Sequence, residues 1–164
     1  MNLMRCGVFL LAVLAGQACA QAPVIGSPDA EALFTSPDPE LHRNKQAAYH
    51  IMRDLLEAGH WDQADRWLTE RYIQHNPNAA SGREAVVAFF TETLKVRPKP
   101  IPDRLTQPIV AVVAEGDLVV VITPRVLKDQ DNPDQSYTTS WFDMWRFVDG
   151  KADEHWDGAT RGGF

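Results

Sequence analysis

The residues of this chain whose types could support chemistry gather near its C-terminal end, in segments that are otherwise apolar or aromatic. The run WFDMWRFV at 141–148 alternates. In a strand, successive side chains take opposite faces, which sets Trp141, Asp143, Trp145 and Phe147 on one face and Phe142, Met144, Arg146 and Val148 on the other. Asp143 among aromatics is either a structural tie that accepts hydrogen bonds or an acid–base group tuned by its apolar surroundings. In DEHWDGA at 153–159, His155 and Asp157 project together, opposite Glu154 and Trp156. An imidazole and a carboxylate on one face form either an acid–base pair or a salt bridge at the sheet rim. His75, in YIQHNP at 72–77, is a further candidate, carried by a short connector where function and simple exposure are both open. His75, His155 and Asp157 have the ligand types of a zinc site without a close-spaced ligand pair, so no metal is expected. Tyr49, Tyr72, Trp141 and Trp145 either line a ligand cavity or fill the core.

These side chains need elements to hold them. Asp38 can cap a helix whose first residue is Pro39, where a missing amide is no loss, and Leu41, Ala48, Met52, Leu55 and Leu56 follow near helical spacing until Gly59. A shorter helix starts at Asp62 and gives way to a brief strand or turn at 72–77. Ser81-Gly82-Arg83-Glu84 reads as a capping box ahead of a third amphipathic helix through Val86, Phe89, Phe90 and Leu94. Three prolines in RPKPIP at 97–102 force a surface connector. The period then changes to two. Residues 109–114 and 118–122 predict a hairpin around Glu115-Gly116-Asp117, and 137–148 with 151–160 predict a second around Asp149-Gly150. Three helices followed by about four long strands is the α+β pattern, with helices covering one face of a mostly antiparallel sheet.

Composition limits the function classes. With 164 residues, 45% hydrophobic and 23% charged, one domain can bury a core unaided. A formal charge of −6 disfavours nucleic acid and anionic membrane surfaces, so no nucleic-acid partner and no stable membrane association is expected. Phosphate-cradling glycine loops, Gly-x-Ser-x-Gly and His-Glu-x-x-His are all absent, which leaves nucleotide, serine-hydrolase and zincin chemistry without support. Residues 1–20 carry Arg5 and the apolar run VFLLAVLA, too short to span a bilayer, and end in Ala18-Cys19-Ala20. That pattern predicts a signal peptide cleaved after Ala20 and a periplasmic or secreted protein, with lipidation at Cys19 the weaker alternative because Gln17 spoils a lipobox. Cleavage would remove Cys6 and Cys19, the chain's two cysteines, and leave 15 basic against 22 acidic residues, a net charge of −7. Residues 21–37, rich in proline and small polar residues, read as a flexible linker ahead of a domain at 38–164.

YIQHNP (72–77), SGREAVVAFF (81–90), AEGDLVVV (114–121) and DMWRFVDGKADEHWD (143–157), in this order, resemble SnoaL-like proteins of the nuclear transport factor 2-like superfamily, most closely a branch described as aldol-condensation enzymes. The resemblance implies a cone-shaped α+β barrel, three helices packed in a curved, mostly antiparallel sheet, with a small-molecule pocket between them. It also implies a homodimer through the exposed sheet face, and proton abstraction α to a carbonyl without a cofactor, as in polyketide cyclases and ketosteroid isomerases. By the same resemblance Asp157 is the candidate base, with His75, His155 and Asp143 as donors or orienting groups. Related sequences often continue the AEGD-x-VVV strand with histidines, where this chain has Ile122-Thr123-Pro124. That departure supports the alternative of a ligand-binding or scaffolding module with the same fold.

Overall fold

The computed structural model describes residues 21–163. The signal-peptide segment expected at 1–20 lies outside the described residues. Helix α1 (Pro39–His50) starts as its sequence dictates: Asp38 Oδ1 accepts the backbone N–H groups of Glu40 and Leu41, both at 2.9 Å, and Pro39 fills the first turn. The helix continues into wider π-helical turns at Ile51–Glu57 and stops at Gly59, whose φ of +76° suits a residue without a Cβ. A Cβ there would meet Val96 Cγ1 at 2.8 Å and the Arg97 carbonyl at 2.9 Å. After a single 3₁₀ turn, the short α2 (Ala64–Trp67) leads straight into β1 (Leu68–Gln74).

Helix α3 (Arg83–Ala88) also ends in π-helical turns, at Phe89–Thr93. It forms where expected but without the capping box. Gly82, at φ +102°, is the N-cap, and the Ser81 hydroxyl instead accepts the Gln74 N–H at 3.0 Å. With Gly82 as the N-cap, Ser81 stands one residue ahead of the cap position, and its oxygen turns to the end of β1.

Strands β2 (Ala111–Glu115) and β3 (Leu118–Lys128) form the first hairpin, and β4 (Ser136–Val148) and β5 (Lys151–Asp157) the second. Asp149 and Gly150 both have positive φ, at +50° and +77°, the geometry that an Asp-Gly hairpin turn requires. The sheet order is β1-β5-β4-β3-β2, antiparallel throughout except that β1 runs parallel to β5. The expected brief strand at 72–77 is thus a full edge strand that begins four residues earlier. The result is the α+β cone anticipated from the sequence: a curled five-stranded sheet around three helices.

The stretch 21–37 is not a loose linker, and here the sequence expectation is corrected. A 3₁₀ turn at Glu31–Phe34 delivers Phe34, fully buried, edge-on to the Tyr49 ring at 5.4 Å. Gln46 and Lys45 of α1 donate to the carbonyls of Phe34 and Leu33 at 3.0 Å each, and Ser27 N donates to the Ile109 carbonyl at 2.7 Å. Proline and glycine in this stretch shape an ordered wrap, held by the buried Phe34 ring, by Ala30 and Leu33 packed against the core, and by these hydrogen bonds. The core beneath it is built from Ala48, Met52 and Leu55 of the first helix, Val86 of the third, and Val119, Val121 and Trp145 of the sheet. Among the described residues, no helix is long and apolar enough to cross a membrane.

Candidate functional site

Between the π-helical turns and the concave sheet face lies a cavity of about 430 Å³, within the size range of small-ligand pockets. Ile51, Met52, Leu56, Trp61, Phe89 and Phe90 form its apolar helix side. The sheet side carries the polar groups. Because β4 pairs Asp143 with Asp157 and Trp145 with His155 on β5, and β5 pairs His155 with Gln74 on β1, strand alternation brings Asp143, Asp157, His155 and Gln74 to one patch. The ligand atoms of Asp143, His155 and Asp157 all lie within 4.8 Å of one another.

The hydrogen bonds at this patch fix where protons must be. Gln74 Oε1 accepts the Asn76 backbone N–H at 3.0 Å, so the amide oxygen is the atom that faces His155 Nδ1 at 2.8 Å. Nδ1 therefore carries a proton and donates it. On the other side of the ring, His155 Nε2 lies 3.1 Å from Asp143 Oδ1, which also accepts the Trp141 indole N–H at 3.2 Å. One proton has to sit between Nε2 and Oδ1, giving either imidazolium with carboxylate or imidazole with carboxylic acid. Asp157 stands 4.0 Å from Nδ1, and both of its oxygens are engaged, Oδ2 by Asn76 Nδ2 at 2.7 Å and Oδ1 by the Ala159 N–H at 2.9 Å. Asp143 Oδ2, by contrast, has no hydrogen-bond partner among the described residues.

Tyr72 completes the patch. Its oxygen accepts the Trp145 indole N–H at 3.1 Å, and burial raises the phenol far above its ordinary value, opposed by that hydrogen bond and reinforced by Asp143 and Asp157. The phenol remains neutral, and its own proton has no acceptor among the described residues. Asp143, His155 and Asp157 also form a ligand set of the type a divalent cation accepts, although His155 already gives both nitrogens to protein partners.

Asp143, His155 and Asp157, named from the sequence, thus converge, and so do Tyr72, Trp141 and Trp145 as pocket residues. Two candidates are not brought to the site. His75 follows Gln74 and takes the opposite face: it pairs with Glu154 Oε1 at 2.8 Å and stacks on Trp156, with ring centroids 4.8 Å apart. Tyr49 sits in the core, where it donates to Glu31 Oε1 at 2.9 Å. Gln74, Asn76, Thr123 and Arg125 line the cavity but were missed. Extending the strand period back through Tyr72, Gln74 and Asn76 is the signal that would have found the first pair. Continuing it along β3 past Val119 and Val121 finds the second. Thr123 and Arg125 are the inward residues there, so this strand is not without polar groups.

Residues 30–155 match the family model of the SnoaL-like domain. Among solved structures, a provisional SnoaL-like polyketide cyclase from Jannaschia sp. CCS1 superposes with a TM-score of 0.54 at 21% identity, covering 76% of this chain and 90% of that one. A provisional polyketide cyclase from Acidithiobacillus ferrooxidans gives 0.52 at 14% identity, covering 71% and 87%. A protein of unknown function with a cystatin-like fold from Xanthomonas campestris gives 0.50 at 15%, covering 70% and 88%. At these identities the likeness is one of fold. No protein of curated function matches the chain significantly.

Proposed function

The chain belongs to the SnoaL-like domain family, and on that premise we propose that it transfers a proton α to the carbonyl of a small molecule held in the cavity, the step common to condensation, cyclisation and isomerisation. The observation that carries this reading is the meeting in one cavity of an Asp143 oxygen, Oδ2, that is free to act as a base in the imidazolium–carboxylate form of the His155 pair, with a neutral phenol, Tyr72, whose proton is uncommitted. In an apolar cavity such a pair can take a proton from carbon and donate a hydrogen bond to the oxygen on which charge develops.

His155 and Trp141 hold Asp143 from its other oxygen, and Gln74 fixes the imidazole in turn. This reading moves the base from Asp157, which resemblance favours, to Asp143, because both Asp157 oxygens already accept hydrogen bonds. Asp157 instead anchors Asn76, which lines the cavity just beyond β1. The engagement of both His155 nitrogens favours a second reading, a module that binds a carbonyl compound without turning it over.

Proton–deuterium exchange at the α-carbons of 2-tetralone, followed by NMR in D2O, separates the two. Acceleration over buffer is expected. Asp143→Asn should lower it by about 10²–10⁴-fold and Tyr72→Phe by about 10²–10³-fold. Binding of 2-tetralone in the cavity with exchange no faster than in buffer would reject the catalytic reading in favour of the binding module.

A further inference from the structure

Arg125 is the one arginine or lysine that lines the cavity among the described residues, and it has no carboxylate partner there. Its guanidinium lies 4.5 Å from the centroid of the Trp141 ring, half-buried, and none of its N–H groups is matched with a protein acceptor among the described residues. Arg53, Arg71 and Arg146, by contrast, are each held by a carboxylate, and Arg66, Arg83 and Arg97 donate to an amide or to backbone carbonyls. Withdrawing a guanidinium from water without an acceptor is unfavourable, and the ring face offsets only part of that cost. Five N–H donors in a planar fork match a carboxylate bidentately.

We infer that Arg125 reads a carboxylate on the ligand, so that the molecule taken by this cavity is a small keto acid with a ring-sized apolar body. The inference rests on the proposed proton transfer for the carbonyl end and on Arg125 alone for the acid end. Position supports the two-ended arrangement. Val121 on β3 is the register partner of Asp143, and Arg125 lies four residues further along the same strand, roughly 13 Å of rise. The Arg125 guanidinium lies over the Trp141 ring, whose indole N–H donates to Asp143 Oδ1 at 3.2 Å, so this one ring stands between the guanidinium and the carboxylate. A ligand whose carboxylate meets the guanidinium therefore places its far end beside Asp143 and Tyr72. The charges are ordered to match: Asp143 and Asp157 repel an anion from the reacting end, and Arg125 attracts it to the other.

Calorimetric titration of 1-naphthoate against 1-naphthamide, which differ in charge and hardly in shape, tests this. The wild-type protein should bind the acid at least about tenfold more tightly than the amide. In Arg125→Gln the preference should fall to near one, and in Arg125→Lys, which keeps the charge but loses the fork, to about threefold. Equal binding of acid and amide by the wild type would overturn the carboxylate inference while leaving the cavity a binding site. An undiminished preference in either variant would overturn it as well. Failure of both compounds to bind would reject it too, whereas the proton-transfer reading stands or falls on 2-tetralone, which carries no carboxylate.

Discussion

Replacing His155 by Phe should convert Asp143 from a stabilising residue into a destabilising one. Phenylalanine keeps the ring that packs against Trp145, at 5.2 Å between centroids, and removes only the nitrogens. What remains is a pair of carboxylates directly opposite each other on β4 and β5, with oxygens within 4.8 Å and no cation between them. At an effective dielectric near 20, unit charges at that separation repel by about 3 kcal/mol. The lost hydrogen bonds to charged groups add about 1.5–3 kcal/mol, so His155→Phe should cost about 5 kcal/mol at neutral pH.

Asp143→Asn in the wild type weakens a charge-assisted bond to His155 and should cost about 1–2 kcal/mol. In the His155→Phe background it removes the repulsion and should return about 3 kcal/mol. Asn keeps an oxygen for the Trp141 indole, so the cycle isolates charge. Urea unfolding of the four proteins at neutral pH gives the answer directly. The same sign for Asp143→Asn in both backgrounds would refute the proton accounting at this site.

Two further outcomes concern the frame around the site. Phe34→Ala should destabilise the protein by about 3–5 kcal/mol, because the ring is fully buried; a loss under about 1 kcal/mol in denaturant unfolding would mean that residues 21–37 do not belong to the core. At β5, a bulge leaves Asp153 buried, and the Arg71 guanidinium holds its carboxyl below the usual carboxylate range, against burial and with help from the Thr69 hydroxyl. A lowered folded-state value stabilises the fold above the usual range, and the benefit is lost as pH falls through that lowered value. Arg71 is 64% exposed, so solvent screens the pair, and Arg71→Met should lower stability only slightly at neutral pH, with the gap to wild type closing as pH falls through and below the usual carboxylate range. A gap that widens on acidification would show the opposite linkage.

How much of this was legible in the sequence follows from which residues obey local rules. The Asp38 cap, the Asp149-Gly150 turn and the period-two faces of β4 and β5 are local, and each appears as read. Asp143, His155 and Asp157 were therefore found together. β1 was legible only from Tyr72 onward, as a brief strand or turn, because Glu70 and Arg71 interrupt the strand-favouring residues of LTERYIQ. It is made a strand by parallel pairing to β5, a contact across about eighty residues. Missing that pairing sent His75 to the site and left Gln74 out, when alternation along the true strand does the reverse. The Ser81 capping box failed for a related reason: the helix is capped at Gly82, one residue later, and the Ser81 hydroxyl turns to the end of β1. Phe34 illustrates the opposite error, since composition averaged over a proline-rich stretch hides one fully buried ring.

The wider helical turns connect these local features to the cavity. Both π-helical stretches, Ile51–Glu57 and Phe89–Thr93, occur where the first and third helices meet the pocket, and both supply its lining through Ile51, Met52, Leu56, Phe89 and Phe90. A π-helical turn has more residues per turn than an α-helical one, so it changes which side chains share a face, and such turns recur at functional sites. Here they present bulky apolar groups opposite a polar sheet patch, and the asymmetry matters for the chemistry. On the proposed reading, an apolar wall keeps water from one side of the substrate while Asp143, His155 and Tyr72 face it from the other. Charge developing on a substrate oxygen would then be met by the Tyr72 phenol rather than by solvent, which is the condition under which a hydrogen bond contributes most to a transition state. The catalytic reading therefore depends on the helices as much as on the strands: a cavity with the same sheet patch and a water-filled helix side would bind a carbonyl compound and leave its α-proton in place.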